Sequence, residues 1–271
     1  MHKNYRKAFT LVELLVVIAI VGLLSTVAAV SLDSSRKKAR FAAGQKLDAD
    51  IQRTVGGELV GEWLFNEGSG AAARDTSGNG FHGTITSPAW VAGVDGTAFS
   101  GVVGRYVSLG NDPALNPSNM TITAWIKPGD FNAYFLPIYS NSRDCCGTYN
   151  GINFFMQFNK LKATTWNSSP LGITSVATIS NDPIWTFVAF SYDGINMKLY
   201  VNGRLDATVA RANAIGSPAS WGSYIGAAGF APAGYSINGA IDQLRLYSSA
   251  LVATDIEDVY LAQKDNFLAR K

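Results

Sequence analysis

The chain has 271 residues, with 22 Lys and Arg against 20 Asp and Glu, and a net charge of +2 leaves no electrostatic footprint for nucleic acid. Only 15% of residues are charged, while 27 are Gly and 11% are aromatic; this excludes a disordered or coiled-coil protein and points to an all-β, turn-rich exported domain. The length suits one anchor and one sizeable domain.

A short basic leader, Met1–Ala8, precedes Phe9–Val30, which is almost wholly apolar but carries one charge, Glu13. A run of roughly 20 apolar residues or slightly more spans the hydrocarbon core as a helix. Lys3, Arg6 and Lys7 favour a cytoplasmic N-terminus. Arg36, Lys37, Lys38 and Arg40 lie just past the other end and argue the opposite way. They suit lipid headgroups, acidic groups on a neighbouring subunit, or a plain solvated helix face. A carboxylate deep in a span costs about 2.5–3.5 kcal/mol, so Glu13 calls for a positive partner. The rival readings are a secretory signal cut after Val27-Ala28-Ala29 and a plain single-pass anchor, but ordinary signals avoid a charge in the apolar core.

Ala8-Phe9-Thr10-Leu11-Val12-Glu13-Leu14-Leu15-Val16-Val17-Ile18-Ala19-Ile20 resembles the N-terminal signature of type IV pilins and of the pseudopilins of type II secretion. The resemblance implies a cut by prepilin peptidase between Ala8 and Phe9, methylation of the new N-terminus, and pairing of Glu13 with the freed N-terminus of a neighbouring subunit. Ala8 stands where that family most often has Gly.

Helix is expected to continue beyond the span. Ser31–Val55 has no Pro, and Ala39, Ala42, Ala43, Leu47, Ile51 and Val55 recur at helical spacing until Gly56-Gly57. One helix over 9–55 would be about 70 Å long at about 1.5 Å per residue. Residues 9–30 form its span and 31–55 its amphipathic extension, and 56–61 read as a linker.

From Glu58 the pattern changes to strands: Leu59–Phe65, Tyr106–Leu109, Met120–Ile126, Ile152–Phe158, Trp185–Tyr192, Asn196–Val201, Leu205–Val209 and Ser236–Tyr247. Asn202-Gly203 marks a tight hairpin, because both positions tolerate positive φ. Many short strands at this spacing indicate a sandwich or jelly roll. Thr254-Asp255-Ile256-Glu257 fits a capping box opening a short helix, Asp255–Ala262, and the polar tail 263–271 is expected to fray.

Glu62 to Ala253 also resemble the laminin-G-like members of the concanavalin A-like lectin/glucanase superfamily, and with the short C-terminal helix the expected domain covers 62–262. The resemblance rests on Trp63–Gly70, Asp75–Gly83, Met120–Pro128, Trp185–Gly194 and Gly239–Tyr247, with Ala250-Leu251. It implies two packed antiparallel sheets. The expected fold class is therefore a long N-terminal α-helix, transmembrane in its first half, followed by an all-β jelly-roll sandwich of concanavalin A-like type.

Some members of that superfamily are glycosidases, which need two carboxylates about 5–9.5 Å apart across the scissile bond. Glu occurs only at 13, 58, 62, 67 and 257, and no expected strand carries a suitable pair, so no enzyme activity and no catalytic residue are expected. Asp75 and Asp242 are candidate Ca²⁺ ligands, in the setting of the Gly78-Asn79-Gly80 bend; the alternative is that each caps backbone locally. Sugar binding needs aromatic platforms, and Tyr139, Phe154, Trp166, Trp221 and Tyr224 are available, with the loops Asn141–Gly151 and Gly216–Tyr235 best placed for recognition. Cys145 and Cys146 are adjacent, either as a strained vicinal disulfide or as free thiols.

These features make the chain a pilin-like or pseudopilin-like subunit displaying a lectin-like adhesion domain. Its expected partners are other such subunits, the prepilin peptidase, the membrane, and a glycan or surface protein. The first rival is a secreted or membrane-anchored carbohydrate-binding protein outside any filament; the second is an atypical glycoside hydrolase. The expected location is a single-pass membrane protein with the jelly roll exported, then the cell surface or a filament.

Overall fold

The computed structural model describes residues 10–129, 135–145, 148–167, 169–179, 185–211, 215–216 and 222–270, without the side chains of 27–30, 33–34, 143–145, 148–149, 169–170 and 265–270. Helix α1 (Leu11–Val55) runs unbroken for 45 residues. Thr10 caps it: its hydroxyl accepts from the Glu13 N–H at 3.2 Å, and the Glu13 carboxylate accepts the Thr10 N–H at 2.8 Å. The reciprocal capping box satisfies two orphan donors of the first turn. Leu11 to Leu24 are all exposed, and apart from Glu13 and Gly22 every one of them is apolar. Among the described residues no helix is long and apolar enough to cross a membrane; the described side chains of the apolar run stop at Thr26.

A single 3-10 turn, Gly56–Glu58, leads directly into strand, where a linker over 56–61 was expected. The first strands are β1 (Leu59–Trp63), β2 (Ala72–Ala73), β3 (Gly83–Ile85), β4 (Trp90–Ala92), β5 (Thr97–Gly101) and β6 (Val107–Ser108). Next come β7 (Met120–Pro128), β8 (Leu136–Ser140), β9 (Arg143–Cys145), β10 (Thr148–Gln157), β11 (Lys160–Asn167) and β12 (Ser169–Thr174). The last are β13 (Thr186–Tyr192), β14 (Asn196–Val201), β15 (Arg204–Ala210), β16 (Tyr224–Ile225) and β17 (Gly239–Tyr247). Helix α2 (Ala253–Arg270) closes the chain. It begins before the expected capping box and runs through most of the tail expected to fray, because Ile256, Val259, Ala262 and Gln263 are buried against the domain.

The strands form two antiparallel sheets. The first has the order β15-β14-β13-β7-β17-β5-β4, with β1 also on β17; the second runs β12-β11-β10-β8-β16-β6-β3-β2, with β9 on β10. Their facing surfaces make one core containing Trp63, Phe65, Phe99, Ile122, Ile138, Phe154, Phe190, Leu199, Ile225 and Leu246. A second core lies on the other face of the first sheet. There Ile51 and Val55 of α1 and Ile256, Val259 and Ala262 of α2 pack on Trp125, Phe187, Ala189 and Tyr247. Burial of each large apolar side chain contributes about 1.5–3 kcal/mol, so the helix end belongs energetically to the domain. The helices cover the outer face of the first sheet, which leaves the second sheet to face outward.

Candidate functional site

In the second sheet one register line crosses the strands as Gly172, Thr164, Asn153, Ser140, Tyr224, Ser108, Thr84 and Ala72. The adjacent line is Ile173, Ala163, Phe154, Tyr139, Ile225, Val107 and Ile85, and every member lies in the core. Successive residues of a strand point to opposite faces. The first line therefore points away from the core, as four hydroxyl residues, one amide and one tyrosine between Gly172 and Ala72. Two residues along β11 from Thr164, Trp166 shares that face, half-buried, opposite Gly151 on β10. Gly151 has φ of 91°, and a Cβ there would come within 2.7 Å of the Asn141 carbonyl.

The middle of the row is covered. Ser140 and Asn153 are buried although they point outward. The segment between Gly226 and Ile237 folds over them, and the Gly229 N–H donates to Ser140 Oγ at 2.8 Å. Ser140 and Ser142 hydroxyls both donate to Asn153 Oδ1, at 2.5 and 2.7 Å. A Cβ at Gly229 would meet the Ser142 carbonyl at 2.6 Å, so only glycine lets the loop lie this close. Beside it, Phe135 packs tilted against Phe155 at 4.4 Å, and Phe230 and Tyr235 close the cluster at 5.2 Å. On one side of the covering loop the outward face carries Trp166, Thr164 and Lys162; on the other it carries Tyr224, with Tyr106 edge-on at 5.7 Å, and Ser108 and Thr84. Burial raises the Tyr224 pKa, and the neighbouring Tyr106 adds to it. The one charge among these side chains, Lys162, donates to Gln157 Oε1 at 2.5 Å.

Trp166 and Tyr224 thus stand on the outward face. Tyr139 does not: its ring is fully buried and its hydroxyl donates to the Leu115 carbonyl at 2.6 Å, so no ligand can stack on it. Phe154 is likewise core. Trp221 and Cys146, and the side chain of Cys145, lie outside the described residues. Phe135, Phe155, Phe230 and Tyr235 escaped sequence reasoning, although the last two fall in a loop singled out for recognition. The alternation Ile152-Asn153-Phe154 was the available signal for Asn153.

Asp75 and Asp242 both serve backbone. Asp75 Oδ1 accepts the N–H groups of Glu62 and Ser77 at 3.0 and 2.9 Å, and Oδ2 accepts that of Phe81 at 2.9 Å. Burial pushes its pKa up, but these donors outweigh it and hold the carboxyl below its usual value. Asp242 Oδ2 accepts Val94 N–H at 2.7 Å and Oδ1 accepts Gln243 N–H at 2.9 Å. There burial prevails, with help from the charge of Asp95, and the pKa is pushed up to about 7. Among the described residues no three His, Cys, Asp or Glu side chains gather as a metal site.

A second concavity lies at the β2 edge of the same sheet. The loop between β1 and β2 encloses a cleft of about 580 Å³ lined by Leu64, Asn66, Glu67, Ser69, Arg74 and Thr76, with the backbone of Gly70 to Ala72.

The architecture is a two-sheet jelly roll with helices docked on one outer face and a polar and aromatic surface on the other. A laminin G-like model of the concanavalin A-like lectin/glucanases superfamily matches residues 100–257, and the chain belongs to that superfamily. A prokaryotic N-terminal methylation motif matches residues 3–29. No curated protein matches the chain. Among solved structures it is similar to domain 4 of AbnA, a GH43 extracellular arabinanase from Geobacillus stearothermophilus, in complex with arabinotriose. That match has 20% identity, a TM-score of 0.58, and covers 74% of this chain and 98% of that one. The binding domain of Paraclostridial Mosquitocidal Protein 1 matches with 14% identity and a TM-score of 0.59, covering 76% of this chain and 52% of that one. The CBM40 of a Ruminococcus gnavus IT-sialidase bound to α2,3-sialyllactose matches with 15% identity and a TM-score of 0.50, covering 60% and 95%. At these identities the likeness concerns the fold.

Proposed function

We propose that the chain is a pilin-like or pseudopilin-like subunit that carries a non-catalytic glycan-binding head. The observation that carries the reading is the methylation motif, residues 3–29, running into a continuous helix, Leu11–Val55, whose far end is packed into a lectin fold. On this reading prepilin peptidase cuts between Ala8 and Phe9, and the apolar run Phe9–Val30 holds the subunit in the membrane before assembly. In the single chain the Glu13 carboxylate is satisfied by Thr10. In an assembly it turns to the methylated N-terminus of a neighbour. The large head is hard to pack at every filament position, which favours a minor or tip subunit. Trp166 and Tyr224 supply stacking surfaces on the outward sheet face, and the fold shared with carbohydrate-binding modules supports a glycan as ligand.

Mass spectrometry of the mature N-terminus, with Glu13→Ala in parallel, tests the assembly half. A chain beginning at methylated Phe9, lost from filament fractions on Glu13→Ala, is the expected result. A chain beginning after Ala29 would make it a secreted lectin and end the filament reading. Trp166→Ala and Tyr224→Ala test the glycan half: retained affinity in both would remove the sheet face from consideration.

A further inference from the structure

The cleft at the β2 edge is a built pocket that the outward sheet face does not use. Its volume of about 580 Å³ falls in the range of small-ligand sites, roughly 300–1,000 Å³. Its walls are held from behind. Thr76 donates to Glu62 Oε2 at 2.6 Å, and Glu62 Oε1 is paired with Arg245. Asn66 accepts the Thr97 N–H at 3.1 Å. The Arg74 N–H donates to Glu67 Oε1 at 2.6 Å, which fixes the carboxylate beside the root of the arginine. Its other oxygen, Oε2, is screened from water and has no hydrogen-bond partner. The ladder to β3 adds two more groups. Ile85 N–H bonds the Ala71 carbonyl, so the N–H and C=O of Ala72 point away from β3, to the open edge.

We infer that this cleft is a second binding site, for a single neutral sugar unit presenting vicinal hydroxyls. The inference rests on the glycan reading above. The free N–H and C=O of Ala72 and the exposed Arg74 guanidinium bring donors and an acceptor to the cleft, and a hydroxyl pair, which both donates and accepts, matches them. An anion would meet Glu67 and a cation would meet Arg74, so the opposed charges select a neutral ligand. No aromatic ring lines the cleft, so it holds one unit by hydrogen bonds and not by stacking. Ala71, Ala72 and Gly70 let the ring approach the backbone.

The test is calorimetric titration of the full chain in detergent with arabinotriose and a panel of neutral and uronate trisaccharides. It is repeated on Glu67→Gln, on Arg74→Ala, and on Trp166→Ala with Tyr224→Ala. The expected result is tenfold or greater loss of affinity, or loss of one equivalent, in the two cleft variants for a neutral sugar. Arg74 is exposed, so Arg74→Ala keeps the fold and an unchanged melting temperature confirms it. Unchanged binding in both cleft variants, with loss in the Trp166 and Tyr224 variant, would overturn the cleft site and leave the sheet face standing. Equal affinity for uronates would overturn the neutral ligand class. Absence of binding to every sugar would overturn both readings together.

Discussion

Arg245 Nη2 lies 3.2 Å from Asp48 Oδ1, an ion pair between the last strand of the first sheet and a helix residue 197 positions earlier. The same guanidinium donates from Nε to Glu62 Oε1 at 2.6 Å. Arg245 is 4% exposed and Glu62 7%, so both charges are screened from water and depend on each other. The helix is thereby fixed on the head in direction as well as in contact.

Losing one partner of a buried pair leaves an uncompensated charge and typically costs about 3–5 kcal/mol. Arg245→Met should destabilise the domain on that scale, because Glu62 stays buried. Asp48 is 37% exposed at its side chain, and Asp48→Ala should cost about 1 kcal/mol or less. Chemical denaturation of the full chain in detergent checks both. Equal costs would mean that Asp48 carries the pair and Glu62 does not.

Gly229→Ala should lift the covering loop from the second sheet, since the added methyl meets the Ser142 carbonyl. The buried hydroxyls of Ser140 and Ser142 would then be wetted. Faster amide exchange at residues 226–237, at unchanged exchange in β7 and β13, is the expected signature. An unchanged loop would show that the backbone there yields without cost.

Asp242 should make the domain less stable as pH rises from about 4 to about 7. Its folded pKa stands above the unfolded value of about 3.9, so the native state binds more protons across that window and stability falls with rising pH, then levels. Asp242→Asn loses an acceptor for the β4–β5 turn and should be less stable throughout. Its melting temperature should lack the wild-type slope between pH 5 and pH 7. A parallel slope in the variant would assign it to another group.

Asp75 has the opposite sign. Its lowered pKa gives stability that is present above about pH 4 and lost as pH falls through the folded value. Asp75→Ala frees the N–H groups of Glu62, Ser77 and Phe81 and should cost about 1–3 kcal/mol. Because the carboxylate serves these donors, chelation with EDTA should leave the melting temperature unchanged. A fall on chelation, reversed by Ca²⁺ and absent in Asp75→Ala, would place a cation there.

The sequence alone determined the features that are local in the chain. The apolar run with Glu13, the helix to Val55, the Asn202-Gly203 hairpin and strand β14 all follow from spacing and turn chemistry, which neighbours three or four residues away decide. The same alternation marked the strands that form the core. Tertiary structure alone decided which face each aromatic side chain took. Tyr139 and Tyr224 read alike as platforms, yet one points into the core and the other away from it. That outcome depends on pairing register and on a bulge in β8, which shifts the strand by one residue and reverses its faces. The pairing of Asp48, Glu62 and Arg245 was equally out of reach, because a charge finds its partner across space and the chain between them carries no periodic trace of it.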